Sequence, residues 1–347
     1  MSEDNFEQEI IEEADKRNKP KSIWRRFAFG SWIMILIIAL LGVGAALVYK
    51  TSFTFSQMKT EVLGNLTDLT ENMATPLPES DRLNILLLGL RGEDDPNGGL
   101  LTDSIMVLSI KKSTGQVALI SVPRDLYVIT PSTNIKEKIN YAYALGYEKK
   151  GVAGALLFSK IAVSQVTGLY LDKAISIDHA AFKEIVDVLG GVDVYLEAPF
   201  SEKAQFAKEM IIDLPAGDNH LDGTQALYFV RSRFSTSDFD RARRQQKVLI
   251  AMKDKALSLG VLANPVKLFQ ILDSLGRNVR TDMGMSDFQS LLSMVDGLKF
   301  NDIVHKVFDT TPEGLLYSSH TESGSYILLP QGDNFSKIQE ACKNIFQ

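Results

Sequence analysis

Apolar positions along this chain fall into three kinds of pattern. From Phe27 to Tyr49 they form an unbroken run, FAFGSWIMILIIALLGVGAALVY, with no charged side chain in it. At about 1.5 Å rise per residue the run is long enough to cross a hydrocarbon core of roughly 30 Å, which predicts a transmembrane helix over 27–49. A looser helical pattern continues from Phe53 to Met73 until Pro76-x-Pro78 breaks it, so residues 50–80 read as a stalk. Beyond the stalk, short β-type segments alternate with helical ones. Asn84–Gly89 (NILLLG) is nearly all apolar, as in a strand buried on both faces. Ser104–Ile110 and Gln116–Val122 follow, with Lys112–Gly115 as the turn of a hairpin. Gly151–Val166 is an apolar helix. Asp178 is placed to cap a helix through Leu189 that stops at Gly190-Gly191, before a strand at Val192–Leu196. Asp222 is placed to cap a short helix through Val230, and Asp240 a long one towards Leu259. Further strands are expected near Ile303–Phe308 and Tyr326–Leu329. This alternation predicts one α/β domain over 81–347, with three α/β/α layers around a central mixed sheet.

Charge orients the apolar run. In residues 1–26 the acids lie between Glu3 and Asp15 and the bases between Lys16 and Arg26, so only bases flank the bilayer and this segment is expected to be cytoplasmic. Trp24, Trp32 and Tyr49 suit the two interfaces. A cleaved signal peptide ending near Val43-Gly44-Ala45 is the competing reading; the length of the run and of the polar stretch before it favours an anchor. The domain at 81–347 is then extracytoplasmic. Cys342 is the only cysteine, which excludes an intramolecular disulfide. A formal net charge of -6 argues against a nucleic-acid surface. Locally the sign reverses: Arg231, Arg233, Arg241, Arg243, Arg244 and Lys247 stand against only Asp238 and Asp240. A basic cluster in an acidic chain points to an anionic ligand.

Several chemical motifs fail. His179, His220, His305 and His320 lack the spacing of a zinc site, there is neither GxSxG nor GxxxxGK, and Asp95-Pro-Asn97-Gly98 lacks the closing glutamate of a calcium loop. What stands out is a set of charged residues at the ends of elements: Asp103, Arg124, Asp125, Lys138, Asn140, Arg231 and Arg233. Arg241, Arg244 and Gln245 recur at i, i+3 and i+4 and are expected to share a helix face. Guanidinium forks grip phosphate oxygens in pairs, and an aspartate beside them is a usual way to hold Mg²⁺ against those oxygens. Surface ion pairs are the plainer reading of any one of these residues taken alone. The apolar helix Val152–Val166 is expected either to pack into the core or to spare part of a face for a lipid.

The ordered set Asn84–Gly89, Thr102-Asp103-Ser104-Ile105-Met106, Ser121-Val-Pro-Arg-Asp125, Lys138-Ile-Asn140-x-Ala142-Tyr143, Gly190-Gly-Val-Asp193-Val, His220-Leu-Asp-Gly-x-Gln-Ala-Leu-Tyr-x-Val-Arg-x-Arg233 and Asp238-Phe-Asp-Arg241-x-x-Arg244-Gln245-Gln246 resembles the LytR-CpsA-Psr family over residues 83 to about 345. The resemblance implies an α/β/α fold with a deep apolar pocket for a polyprenyl tail. It implies transfer of a glycopolymer with its linking phosphate from a polyprenyl-pyrophosphate carrier to peptidoglycan, at the 6-hydroxyl of N-acetylmuramic acid. Carried over by motif, Asp103 is expected to bind Mg²⁺. Arg124, Arg231, Arg233 and Arg241 are expected to clamp the pyrophosphate, with Lys138 and Gln245 as helpers and Asp125 orienting Arg124. The base for the acceptor hydroxyl is Asp103 or a second acid. Two positions depart from the family: the acid expected two residues after Gly89 is replaced by Arg91, and Leu101 stands where an arginine is common. Glu93, Asp94 or Asp95 is then the candidate for the second metal ligand, the alternative being an altered metal site. Two other functions use the same residues: hydrolysis of the lipid pyrophosphate, and polymer binding without catalysis. A helix-turn-helix regulator does not suit a cytoplasmic part so short and charged.

Overall fold

The computed structural model describes residues 75–92, 99–203, 205, 211–258, 279–294 and 297–347. The apolar run 27–49, most of the stalk, and Glu93, Asp94 and Asp95 lie outside these. Among the described residues no helix is long and apolar enough to cross a membrane. All of them fall in one compact unit, Thr51–Gln347.

Three long strands open the domain: β1 (Arg82–Leu90), β2 (Thr102–Lys111) and β3 (Gln116–Ser121). A small hairpin of β4 (Tyr127–Ile129) and β5 (Lys136–Lys138) leads into helix α1 (Tyr141–Thr167) and strand β6 (Lys173–Ile177). Helix α2 (His179–Val188) comes next, then β7 (Val192–Leu196), β8 (Phe200–Glu202), β9 (Ile212–Leu214) and β10 (Gly217–Leu221). Helices α3 (Gly223–Arg231) and α4 (Asp238–Ser258) precede β11 (Val279–Thr281) and α5 (Met285–Met294). The chain closes with β12 (Val304–Val307), β13 (Leu316–His320), β14 (Tyr326–Pro330) and α6 (Ser336–Lys343).

Six strands form the central sheet in the order β11-β6-β1-β2-β3-β12. It is mixed, as expected. The hairpin turn at Lys112–Gly115 makes β2 and β3 antiparallel, β1 is antiparallel to β2, and β1–β6 and β3–β12 run parallel. Asp178 and Asp222 both cap their helices, the latter in a reciprocal capping box with Gln225. Asp240 does not start α4. Ser237 and Asp240 instead exchange side-chain to backbone bonds of 3.1 Å in each direction, so Asp240 lies inside the first turn. Helix α1 is longer than its apolar stretch: it begins at Tyr141 and breaks at Lys150–Gly151, where Gly151 has φ +59°.

Two faces of the sheet receive different treatment. On one, Leu86, Leu88 and Leu90 of β1 and Ile105 and Val107 of β2 pack with Leu156, Val163 and Val166 of α1 and with Ile338 and Cys342 of α6. On the other lie α3 and α4, and there the packing is incomplete. The alternation of a strand sends successive residues to opposite faces, so β1 lines both regions at once.

Candidate functional site

On the second face, the strands and helices enclose a cavity of about 500 Å³. Leu87, Met106, Ile175 and Ile177 form its sheet side; Phe182, Leu227, Leu249 and Met252, from α2, α3 and α4, form the other. Its mouth is polar and carries Arg91, Asp103, Ser104, Arg124, Arg231, Arg233, Arg241 and Gln245. The mouth lies at the edge where β1, β3 and β6 end and β2 begins, because β2 alone of these runs the other way. The apolar helix Val152–Val166 takes no part: α1 lies in the core on the opposite face and contributes no residue to the cavity lining.

A β-bulge aims the central carboxylate. Gly89 pairs with Ser104 and Leu90 with Thr102, leaving Asp103 as the extra residue opposite that step. Gly89 allows the strands to approach there, since a Cβ on it would stand 3.0 Å from that of Ser104. Asp103 Oδ2 then accepts from Arg91 Nε at 3.0 Å, and Oδ1 accepts from Arg124 Nη1. The Asp103 carbonyl accepts from Arg241 Nη2 at 3.0 Å, and the same nitrogen pairs with Asp238 Oδ2 at 2.9 Å. Burial alone raises the pKa of Asp103, but Arg124, Arg91 and Arg241 outweigh it and hold the carboxyl below the usual carboxylate range. Burial lowers the pKa of Arg241, and the neighbouring guanidiniums of Arg124 and Arg233 lower it further despite Asp238 and Asp103. Such crowding is relieved by an anion.

Two donors are left over. The Nε atoms of Arg124 and Arg241 are buried and have no hydrogen-bond partner among the described residues. Arg124 Nε faces Asp125 Oδ2 at 3.5 Å and Asp238 Oδ1 at 3.9 Å; buried N–H groups are almost always satisfied, so Arg241 Nε is the one that marks where a ligand's oxygen belongs. Arg241 also lies in the first turn of α4, where the helix dipole favours negative charge.

The loop bearing Arg231 and Arg233 is held from behind. Gln205 donates to the Arg231 carbonyl at 2.8 Å and accepts from Arg233 N at 2.6 Å, while the buried Glu202 accepts from Ser235 N at 2.9 Å. Arg244 belongs to this support and does not share the site face with Arg241 and Gln245. Its guanidinium bonds the carbonyls of Phe229 and Ser232 and stacks on Phe200 at 4.6 Å. It satisfies the exposed end of α3 and lines neither the cavity nor the groove beside it. Burial pushes its pKa down to about 10. Gln245 stays at the mouth, accepting from Ser104 Oγ at 2.9 Å.

A second, polar groove of about 600 Å³ meets the first at Arg91, Asp103, Arg124 and Arg233. Lys138 lines this groove rather than the apolar cavity, together with Tyr127, Glu137, Asn140, Tyr141 and Ser325. Lys138 Nζ is paired to Asp125 Oδ1 at 2.7 Å, and Asp125 Oδ2 lies 3.5 Å from Arg124 Nε, so Asp125 links the two cations. Sequence reasoning thus found Asp103, Arg124, Lys138, Arg231, Arg233, Arg241 and Gln245, all of which surround this junction. Arg91 was legible only as a departure, and Gln205 and Glu202 were not legible at all, since a supporting polar side chain far from any motif leaves no local signal.

The described residues do not fit a divalent cation. Both oxygens of Asp103 are taken by guanidinium groups, and no group of three or more His, Cys, Asp or Glu side chains converges among the described residues. Mg²⁺ needs near-octahedral oxygen ligands, and two adjacent cations oppose it.

The sequence model of the LytR_cpsA_psr family matches residues 48–344. The chain is 31% identical over 290 residues to the polyisoprenyl-teichoic acid–peptidoglycan teichoic acid transferase TagU of Oceanobacillus iheyensis, covering 82% of this chain and 85% of that one. It is 28% identical to the protein of the same name from Enterococcus faecalis, over 75% of this chain and 79% of that one. Among solved structures, TagV of B. subtilis superposes with a TM-score of 0.58 at 23% identity, over 77% of this chain and 98% of that one. TagT bound to LIIa-WTA superposes with a TM-score of 0.60 at 22% identity, over 80% and 98%. The mixed sheet, the ordered motifs and this extent of similarity together establish that the chain belongs to the LytR-CpsA-Psr family.

Proposed function

We propose that this protein is a membrane-anchored phosphotransferase that moves a glycopolymer with its linking phosphate from a polyprenyl-pyrophosphate carrier to peptidoglycan. The observation that carries the reading is an apolar cavity of about 500 Å³ whose mouth holds five arginines. A long apolar tail suits the lumen and a diphosphate suits the mouth, in that order along one molecule. The activity named for the TagU relatives is of this kind. We place residues 1–26 in the cytoplasm, the span at 27–49 and the catalytic domain outside, on the charge asymmetry of the N-terminus.

In this reading the acceptor hydroxyl oxygen attacks the phosphorus that bears the glycopolymer. The new P–O bond forms as the bond to the bridging oxygen breaks, polyprenyl phosphate leaves, and the hydroxyl proton passes to a base. Phosphoryl transfer asks mainly for positioning and charge neutralisation. Arg231, Arg233 and Arg241 hold the carrier-side phosphate, and Arg124 reaches the phosphorus from β3. Asp103, kept ionised by its arginines, is a weak base and serves to aim Arg91 and Arg124. The polar groove, lined by Tyr127, Glu137 and Tyr141, receives the sugar portion.

Full-length protein in detergent, given lipid-linked donor with either peptidoglycan or water, tests this directly. Polymer bound to peptidoglycan is the expected product. Release of free polymer in water at the same rate makes the protein a hydrolase, and tight donor binding without turnover makes it a binder. Protease added to intact spheroplasts is expected to digest residues 81–347 and spare the N-terminal segment.

A further inference from the structure

Arg91 is one of the two positions at which this chain parts from its family, and the structure puts it at the centre of the site. It follows β1 directly, two residues beyond Gly89, and lines both the apolar cavity and the polar groove. Its Nε bonds Asp103 Oδ2 at 3.0 Å. Its terminal nitrogens have no partner among the described residues, and its side chain keeps 30% of its surface exposed. A guanidinium fixed at Nε by a carboxylate still offers its outer N–H groups to an anion.

We propose that Arg91 takes the place of the divalent cation, so that this enzyme neutralises its diphosphate with guanidinium groups and works without a metal. The inference rests on the donor reading given above. Three observations carry it. Asp103, the family's metal-binding acid, has both oxygens committed to Arg91 and Arg124. The acid that the family resemblance places two residues after Gly89 is replaced by the cation Arg91. Among the described residues the charge balance stays positive: Arg91, Arg124, Lys138, Arg231, Arg233 and Arg241 stand around the junction against Asp103, Asp125, Asp178 and Asp238. A diphosphate diester carries one acidic oxygen on each phosphorus, so these groups match its charge without help. A divalent ion added beside them would meet net repulsion, which a site lined mainly by carboxylates does not impose.

Arg91 is also bound differently from a metal. A cation held by two carboxylates exchanges with solvent, whereas Arg91 is covalently present and oriented by Asp103 before the donor arrives. Preorganised charge needs no rearrangement as the phosphoryl bond breaks.

The test uses full-length protein in detergent and geranylgeranyl pyrophosphate as a probe, with Mn²⁺ titrated separately and followed by its paramagnetic resonance. Wild type should bind the probe with an affinity that differs by less than about threefold between EDTA and excess Mg²⁺, and should bind no Mn²⁺ at Asp103. Arg91→Ala should weaken the probe by about thirtyfold, and Arg91→Lys should recover only part of that. Arg91→Asp is the decisive variant: it should gain a Mn²⁺ site that Asp103→Asn abolishes, and probe binding that now requires Mg²⁺. Wild-type probe binding that collapses in EDTA and returns with Mg²⁺ overturns the proposal, as does wild-type Mn²⁺ binding lost in Asp103→Asn. Failure of the underlying reading looks different, since the probe then binds under neither condition. The Mn²⁺ comparison between wild type and Arg91→Asp decides the cation question in that case too.

Discussion

The two faces of the central sheet are made from the same strands and end in opposite states. Towards α1 and α6, Leu86, Leu88 and Leu90 are buried in a continuous apolar cluster. Towards α3 and α4, Leu87 keeps some exposure and borders a cavity with Met106, Ile175 and Ile177. Both sets are apolar, so hydrophobicity does not distinguish them. What does is the partner: α1 brings Leu156, Ala162, Val163 and Val166 flush against the sheet, whereas α4 ties itself to the strands with polar groups. Arg241 bonds the Asp103 carbonyl, Gln245 the Ser104 hydroxyl, and Gln246 the Leu119 carbonyl and Ser121 hydroxyl. Polar struts hold a helix at a distance that side-chain packing would otherwise close. The sealed face supplies stability, and the propped face supplies a space with arginines at its door.

The difference can be broken at the door first. Arg233 lines both cavities, pairs with no carboxylate among the described residues, lies over the ring of Phe234 at 5.6 Å and repels Arg241. Arg233→Ala should therefore slow transfer by on the order of a thousandfold, about 4 kcal/mol of barrier, with donor affinity falling less. Arg233→Lys should restore only part of the rate, since an ammonium lacks the forked geometry. Single-turnover rates with melting temperatures on the same samples check this, and an unchanged rate removes Arg233 from the reaction.

Truncations within β1 compare the two faces directly. Leu86, which is fully buried and lines neither cavity, should cost about 3 kcal/mol of stability as Leu86→Ala, with normal activity per folded molecule. Leu87→Ala should cost about 1 kcal/mol or less, because the cavity it borders exists already, but should weaken binding of a polyprenyl phosphate several-fold. Urea denaturation and lipid titration of the pair measure both effects. Equal stability losses would mean that the second face is packed in solution as tightly as the first.

The smallest effect concerns Cys342, on the sealed face. Burial pushes its thiol up from 9.0 to about 12. The folded state thus keeps a proton that the unfolded chain releases, so this contribution to stability is full below pH 9 and declines as pH rises towards the folded value. Between pH 9 and 10 the wild type should lose about 1 kcal/mol relative to Cys342→Ala. Chemical denaturation at those two pH values detects it, and parallel slopes would refute a sealed thiol.

Much of this protein was legible from local patterns. The runs at Asn84–Gly89, Ser104–Ile110 and Gln116–Val122 named three adjacent strands, and the Asp178 and Asp222 caps named two helix starts, because burial periodicity and capping act over a few residues. The motif order likewise named the family and seven residues that surround the junction of the two cavities. Three matters needed the tertiary structure. Helical spacing grouped Arg244 with Arg241 and Gln245, but Arg244 turns to the open carbonyls at the end of α3, whose position depends on how two helices cross. The apolar helix Val152–Val166 could serve core or ligand equally by its composition, and the packing of α1 against the sheet decided for the core. Arg91 looked like a missing acid until a bulge at Asp103 brought the two side chains together. Sequence determines what each segment prefers to be, since those energies are local. Which polar groups meet, and which apolar surface is left uncovered, is decided by the fold, since those energies depend on partners distant in the chain.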